Sequence, residues 1–139
     1  MIPYVYYELD RHMRTYMNRW FAKFATRENL STAALIDAVV RAEAGLIDAD
    51  LGSGLIKQRI ARSGGGRSGG YRSLVIFRSG DRAVFVFGFP KNLKDNLDAV
   101  ELRTFRAAAK IVLGLTQEQV DGEVLQERLI EVKADDQDL

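Results

Sequence analysis

The sequence lacks several of the residue types on which enzymatic chemistry most often depends. It contains no cysteine, which excludes disulfides, thiolate metal sites and thiol catalysis. Its single histidine, His12, lies near the N-terminus, upstream of the clearly patterned part of the chain. A histidine general base, a histidine metal site in the core and a Ser-His-Asp triad are therefore excluded, and no serine stands in a nucleophile-elbow context.

Long apolar runs are also missing. No stretch approaches the roughly 20 residues needed to span a bilayer, and Glu8 and Asp10 interrupt the region where a signal peptide would have its apolar core. We therefore expect a cytoplasmic protein without a membrane segment. The 139 residues, 47% hydrophobic and 28% charged, predict one globular domain over residues 1–139. Within it, residues 1–14 are interpreted as a possible N-terminal extension and residues 134–139 as a frayed acidic tail.

Charge is unevenly distributed along the chain, although the formal net charge is only +1. Residues 17–97 contain 13 Lys or Arg and 7 Asp or Glu, whereas residues 98–139 contain 5 and 10. This segregation indicates a basic working surface and an acidic C-terminal part. The stretch 55–91 has a single acid, Asp81, and eight cations: Lys57, Arg59, Arg62, Arg67, Arg72, Arg78, Arg82 and Lys91.

Hydrophobic periodicity predicts helices followed by strands and then helices again. The predicted helices cover Arg19–Arg27, Thr32–Ala44 and Val100–Leu113, with a short acidic helix starting at Thr116. In the second helix, Leu35, Ile36, Val39 and Val40 share the face that is expected to pack inward. Asp98 with Glu101 and Thr116 with Gln119 resemble capping boxes at the starts of the last two helices. The predicted strands cover Leu55–Arg62, Tyr71–Arg78, Ala83–Phe89 and Leu129–Val132, with one more near Tyr16–Arg19 and a loop over Leu46–Gly54. This order predicts an α+β fold in which a small antiparallel sheet packs against N-terminal helices and a C-terminal helix.

Strand alternation places several of the cations on one face. Lys57 and Arg59 fall together on the wet face of their strand. Arg72 shares a face with Leu74 and Ile76, where a cation is costly unless it is paired or solvated.

Arginine and lysine in such positions can hold a phosphodiester and stabilise charge that develops on it. If the substrate is RNA, its own 2′-hydroxyl can be the nucleophile, and Tyr71 and Phe89 near the rim could stack a splayed base. Composition does not separate such an enzyme from a passive RNA-binding protein.

Two other patterns are weak. The glycine-rich segment 63–70 lacks the lysine and hydroxyl that end a nucleotide-binding P-loop, and it leads into a strand instead of a helix. It is interpreted as a hairpin connection or as a loop whose N–H groups and Arg67 close over a phosphodiester. Asp48 and Asp50 alone make a poor metal site, because no further oxygen or nitrogen ligands accompany them. No metal or cofactor is expected.

Several motifs in order resemble the RelE/HigB-like toxins of bacterial type II toxin–antitoxin modules, in the RelE/ParE superfamily. The resemblance runs from about Arg19 to Val132. It is carried by Leu46–Gly52, Lys57–Arg62, Gly69-Gly70-Tyr71-Arg72, Asp81-Arg82-Ala83, Gly88–Lys91 and Asp95-Asn96. It implies a compact fold with helices on an antiparallel sheet. It also implies a ribosome-dependent, metal-independent endoribonuclease that cleaves mRNA and inhibits translation.

The resemblance also implies roles for individual residues. Arg72 matches the arginine that stabilises the scissile phosphate, and Lys57 and Lys91 match basic catalytic positions. The remaining cations are expected to bind RNA together with the two aromatic residues named above: Arg59, Arg62, Arg67 and Lys94. Relatives place a Tyr or His for proton transfer where this chain has Asn92, Asp95 and Asp98, so the general base is left open. Lys57 could take that role if neighbouring cations favour its neutral form.

The partners implied by the resemblance are the ribosome, mRNA and a cognate antitoxin, usually a helix-turn-helix protein. Two alternatives have different chemistry. One is a degenerate toxin that binds RNA or its antitoxin without cleaving, and the other is a ParE-like inhibitor of DNA gyrase on the same fold.

Overall fold

The computed structural model describes residues 13–61, 70–90 and 97–133. Four helices and six strands lie in these ranges. The strands are β1 (Arg14–Asn18), β2 (Ala49–Gly52), β3 (Leu55–Ile60), β4 (Tyr71–Arg78), β5 (Arg82–Pro90) and β6 (Leu129–Val132). The helices are α1 (Arg19–Arg27), α2 (Thr32–Glu43), α3 (Ala99–Leu113) and α4 (Gln117–Leu125).

The strands form one sheet in the order β2-β3-β4-β5-β1-β6. Strands β2 to β5 are a consecutive antiparallel series, and β6 pairs antiparallel with β1. The predicted α+β fold with helices on an antiparallel sheet is confirmed. One pairing differs from that prediction, because β1 runs parallel to β5. A parallel neighbour cannot be joined by a hairpin, and here most of the chain lies between the two strands.

Helices cover both faces of the sheet. The ring of Phe21 in α1 and the side chain of Leu35 in α2 belong to a cluster with Val75 and Phe85 on one face. On the other face, Ala109 of α3 and Val120 of α4 belong to a second cluster that includes Leu55, Leu74 and Ile76. Alternate residues of β3 and β4 therefore enter different clusters, as the period of two along a strand requires.

The helix ends follow local capping chemistry. The side chain of Ser31 accepts a hydrogen bond from the backbone N–H of Ala34 at the start of α2. Capping boxes formed by Asp98 with Glu101 and by Thr116 with Gln119 begin α3 and α4, as the sequence predicted. The face of α2 was predicted less well. Val40 was expected to pack inward, but it is exposed, and Ala38 and Ala42 are buried in its place.

Two boundaries also differ from expectation. The segment Leu46–Gly54 was predicted to be a loop, but Ala49–Gly52 forms edge strand β2, with an irregular register at its end. The strand has only four residues, ADLG, and is half exposed. Such a short edge strand does not show the apolar alternation that identifies a strand in a sequence. Arg14, placed in a possible N-terminal extension, begins β1. Residues 1–12 and 134–139 of the predicted extension and tail lie outside the described residues.

Within the described ranges, none of the helices has the length and apolar character needed to cross a membrane.

Candidate nucleic-acid interface

Three cations lie on one face of the adjacent strands β3 and β4. They are Lys57, Arg59 and Arg72, and together they are called the cationic face. The register pairs Arg59 with Arg72 and Lys57 with Leu74, so all three project to the face that α3 and α4 cover farther along the strands. Lys57 is half-buried and Arg59 is exposed. The two cations predicted on the wet face of their strand therefore lie together, next to Arg72.

Like charges directly opposite each other in an antiparallel ladder repel. Arg59 and Arg72 occupy such a pair. The strands are held together around them by backbone pairing and by buried residues of the opposite face, such as Ser73, whose hydroxyl donates to the Gln58 carbonyl at 2.9 Å. The Asp48 carboxylate, whose Oδ2 lies 2.8 Å from Nε of Arg72, balances part of this repulsion. A basic sheet face of this kind favours anionic ligands.

Arg72 is largely enclosed, with a side chain that is 16% exposed. Its Nε lies 2.8 Å from Oδ2 of Asp48, and this ion pair links β4 to the residue that precedes β2. Its Nη1 is buried and has no hydrogen-bond partner in the part of the chain that the structure describes. A buried N–H without an acceptor is unfavourable. An acceptor oxygen that reached this donor, such as a phosphate oxygen, would remove that cost.

The backbone around Asp48 is fixed by Gln58. This side chain is buried in the sheet, and its Nε2 donates to the carbonyls of Ala38 at 2.9 Å and Leu46 at 3.1 Å. Its Oε1 accepts from the backbone N–H of Asp48 at 3.2 Å, and the same N–H lies 3.1 Å from the Lys57 carbonyl. One amide group thus connects α2, the turn after it and the start of β2.

Tyr71 lies on the opposite face from Arg72, although the two residues are neighbours in sequence. Its ring is buried in the cluster beneath α1, with the ring of Phe24 edge-on at 5.8 Å. Its hydroxyl donates to Oε1 of Glu28 at 2.9 Å. The prediction that Tyr71 stacks an RNA base does not fit this position, because residues i and i+1 of a strand point to opposite faces. Tyr71 is a core residue.

Phe89 pairs with Arg72 across β4 and β5, so it borders the cationic face. Its side chain is only 5% exposed, and its ring lies 6.0 Å from the ring of Phe87. A base could not stack on it without a change in its surroundings. Its position beside Arg72 is consistent with the predicted site. Because its ring is buried, however, it packs against neighbouring side chains and has no exposed face on which a base could stack.

Four other predicted site residues lie outside the described ranges: Arg62, Arg67, Lys91 and Lys94. Lys57, Arg59 and Arg72 are therefore the predicted cationic site residues that the structure describes. Among the residues that the structure describes, no group of three or more His, Cys, Asp or Glu is placed to hold a metal ion.

Sequence reasoning missed Asp48 and Gln58 as parts of this site. The rule that a cation on an apolar strand face needs a partner did indicate that Arg72 should be paired. The identity of the partner was not evident, because Asp48 is 24 positions away and lies in a segment that was predicted to be a loop. A buried glutamine between Ile56 and Ile60 was the one local signal for a polar connection.

The fold and the site define a small α+β protein with a cationic face on its sheet. Residues 13–132 match the family described as "RelE toxin of RelE / RelB toxin-antitoxin system". The chain belongs to this family, and it is therefore the toxin of a toxin–antitoxin system, a class that consists generally of mRNA-cleaving inhibitors of translation. The family implies an antitoxin partner. A search among curated proteins found no significant match.

Proposed function

We propose that this protein is a ribosome-dependent endoribonuclease that cleaves mRNA without a metal ion and thereby inhibits translation. The observation that carries the proposal is the row formed by Lys57, Arg59 and Arg72 on one sheet face of a RelE-family chain. Three cations on neighbouring strands match the repeated negative charge of a nucleic-acid backbone, and they provide affinity without reading the sequence.

In this proposal Arg72 contacts the scissile phosphate. A guanidinium has a planar fork of donors that fits phosphate oxygens, and it stays charged throughout the reaction. Positive charge at this point stabilises the additional negative charge of the pentacoordinate transition state. The nucleophile is the 2′-hydroxyl of the nucleotide on the 5′ side of the bond, and the leaving group is the 5′-oxygen of the next nucleotide.

Lys57 and Arg59 hold the flanking phosphates and thus align the 2′-hydroxyl with the bond that breaks. Alignment of this kind accounts for a large part of the acceleration when a nucleophile belongs to the substrate itself. The role of the ribosome is to present mRNA as an unstacked single strand to the cationic face. Lys91 is proposed as a third catalytic cation, and Arg62, Arg67 and Lys94 are proposed as further RNA-binding residues.

Primer extension on mRNA in a translating extract tests the proposal. The wild-type protein should produce cuts within codons that require ribosomes. Arg72→Ala should reduce the cleavage rate by about 100-fold or more, as expected for loss of a group that stabilises transition-state charge. Arg72→Lys keeps the charge but not the planar fork, and should give an intermediate rate. Arg128→Ala removes an exposed arginine next to the edge strand β6, far from β2 and β3, and should cleave like the wild type.

The other outcomes identify the alternatives. Intact mRNA with stalled translation would show a protein that binds the ribosome or RNA without cleaving. Intact mRNA with normal translation and DNA damage in cells would show a gyrase-directed toxin. Either result contradicts the proposed nuclease.

We also propose that the antitoxin is a helix-turn-helix protein encoded beside the toxin, and that both act in the cytoplasm. The antitoxin inhibits the toxin by covering the cationic face. Its binding should then compete with single-stranded RNA for the free toxin. Simultaneous binding of both partners would contradict this arrangement.

A further inference from the structure

The contact between Arg72 and Asp48 uses only part of the guanidinium. Nε of Arg72 is the atom that lies 2.8 Å from the Asp48 carboxylate. Nη1 lies on a different edge of the planar group from the Nε–H, and this is the atom that is buried without a partner among the described residues. The carboxylate therefore holds one edge of the fork, while the other edge keeps a buried donor that an acceptor oxygen would satisfy.

Asp48 is itself held in place. Its backbone N–H is shared between the Gln58 side chain and the Lys57 carbonyl, at 3.2 Å and 3.1 Å. Gln58 is 2% exposed and is anchored to the carbonyls of Ala38 and Leu46. A carboxylate on a backbone fixed in this way can restrict the rotation of a long, flexible arginine side chain. Without it, Arg72 would have several rotamers available in front of the sheet.

We propose that Asp48 is a positioning residue, which holds the guanidinium of Arg72 through Nε so that Nη1 meets the phosphate. This inference rests on the proposed function, since the phosphate is that of the mRNA to be cleaved. The role requires an acceptor at the Asp48 position more than it requires a negative charge. A carboxylate that served to neutralise the cationic face, or to keep Arg72 away from RNA, would behave differently on substitution.

Three variants separate these roles. Asp48→Ala removes the acceptor, Asp48→Asn keeps an acceptor oxygen without the charge, and Asp48→Glu moves the carboxylate by one methylene. Glu123→Gln is the matched control, because Glu123 also forms an ion pair with an arginine, Arg128, beside the distant strand β6.

Steady-state cleavage of ribosome-bound mRNA gives kcat and KM for each variant. Asp48→Ala should lower kcat by about 10- to 100-fold, the effect of a reacting group displaced by about 1 Å, with KM within about twofold of the wild type. Asp48→Asn should restore kcat to within a few-fold. The kcat of Asp48→Glu should lie between those of the Ala and Asn variants.

An increase in kcat for Asp48→Ala would show that Asp48 restrains Arg72. Equal decreases in KM for the Ala and Asn variants, without a change in kcat, would show that Asp48 acts only through its charge. Each of these two results overturns the proposal.

A second measurement does not depend on cleavage. The side-chain Nε–H resonance of Arg72, identified by its loss in Arg72→Lys, should be shifted and protected from hydrogen exchange in the wild type. Both features should persist in Asp48→Asn and disappear in Asp48→Ala. If the resonance is the same in all three proteins, the positioning role is wrong, whether or not the protein is a nuclease. If the wild type shows the contact but never cleaves mRNA, the proposed function is wrong and the positioning of Arg72 for catalysis fails with it.

Loss of folding cannot imitate the expected result. The Asp48 side chain is 32% exposed, and the thermal unfolding midpoint of each variant is measured beside its kinetics. Should Asp48→Ala not fold, the comparison of Asp48→Asn with Asp48→Glu decides between the same outcomes. In that comparison a higher kcat for the Asn variant supports positioning, and a higher kcat for the Glu variant shows that charge alone matters.

Discussion

Gly88 of β5 lies against the ring of Phe24 in α1 so closely that a Cβ atom at Gly88 would stand 2.6 Å from Cε2 of Phe24. A second ring, that of Phe21, would be 3.0 Å from the same Cβ. The absence of a side chain at Gly88 is therefore what allows α1 to pack on the central part of the sheet. The same aromatic layer contains Tyr71, so this contact stabilises the strand that also carries Arg72.

Gly88→Ala should destabilise the protein by about 1–3 kcal/mol, because the added methyl group overpacks a site lined by rigid rings. Gly122→Ala is the matched control. Gly122 lies inside α4, and a Cβ there would meet nothing within 4 Å. This second substitution should stabilise the protein by about 0.5–1 kcal/mol, since alanine loses less backbone entropy in a helix. Urea unfolding of both variants measures the two free energies. A change in the free energy of unfolding that has the same sign for both substitutions would contradict the packing argument.

Arg82 should be the most important arginine for stability. Its side chain is 4% exposed, and Nη1 donates to the carbonyls of Val112 at 2.9 Å and Leu115 at 3.0 Å, at the C-terminal end of α3. A cation at this end of a helix satisfies carbonyls that lack partners in the helix and interacts favourably with the helix dipole. Arg82→Ala should lower the free energy of unfolding by about 2–4 kcal/mol, because charged hydrogen bonds are lost in a buried place.

Arg78→Ala provides the comparison for Arg82. Both arginines lie near the carboxylate of Asp81, but the side chain of Arg78 is 50% exposed. An exposed ion pair contributes about 0–1 kcal/mol. Chemical denaturation should therefore separate the two variants clearly. A loss for Arg78→Ala as large as that for Arg82→Ala would show that the pairing with Asp81, and not the contact with α3, is what stabilises this region.

The stability of the β6 edge should depend on pH through Glu123. A hydrogen bond from the Arg128 side chain lowers the pKa of the Glu123 carboxyl from its ordinary value, and the Arg128 charge acts in the same direction. A carboxyl whose pKa is lower in the folded protein contributes stability above the ordinary pKa of glutamate. This contribution is lost as the pH falls through the lower pKa of the folded state.

Glu123→Gln should thus reduce stability slightly at pH 7, and the difference from the wild type should disappear in acid. The effect is small because the pair is exposed to solvent. Unfolding midpoints of the two proteins at neutral and acidic pH measure it. A difference that grows towards low pH would mean that the carboxylate is unfavourable in the folded protein.

Much of this architecture was evident from local patterns. The capping boxes at Asp98 and Thr116 were predicted because the interacting groups are three residues apart and form whenever the chain turns into a helix. The alternation in β3 likewise placed Lys57 and Arg59 on one face before any neighbour was known. Periodicity carries this information because the side-chain directions of a strand depend only on its own backbone.

Other features depend on which elements meet in space. Sequence alone placed an arginine at position 72 on an apolar face and required it to be paired or solvated. Only the tertiary structure decided that the partner is Asp48, that Gln58 fixes this partner, and that the ring of Tyr71 is buried in the core. Local sequence specifies the side-chain directions within a strand and the ends of a helix, because both depend on short-range sterics and hydrogen bonds. Pairing between distant residues is decided by the register of the sheet and by the packing of helices on it, because these bring together groups that no local interaction connects.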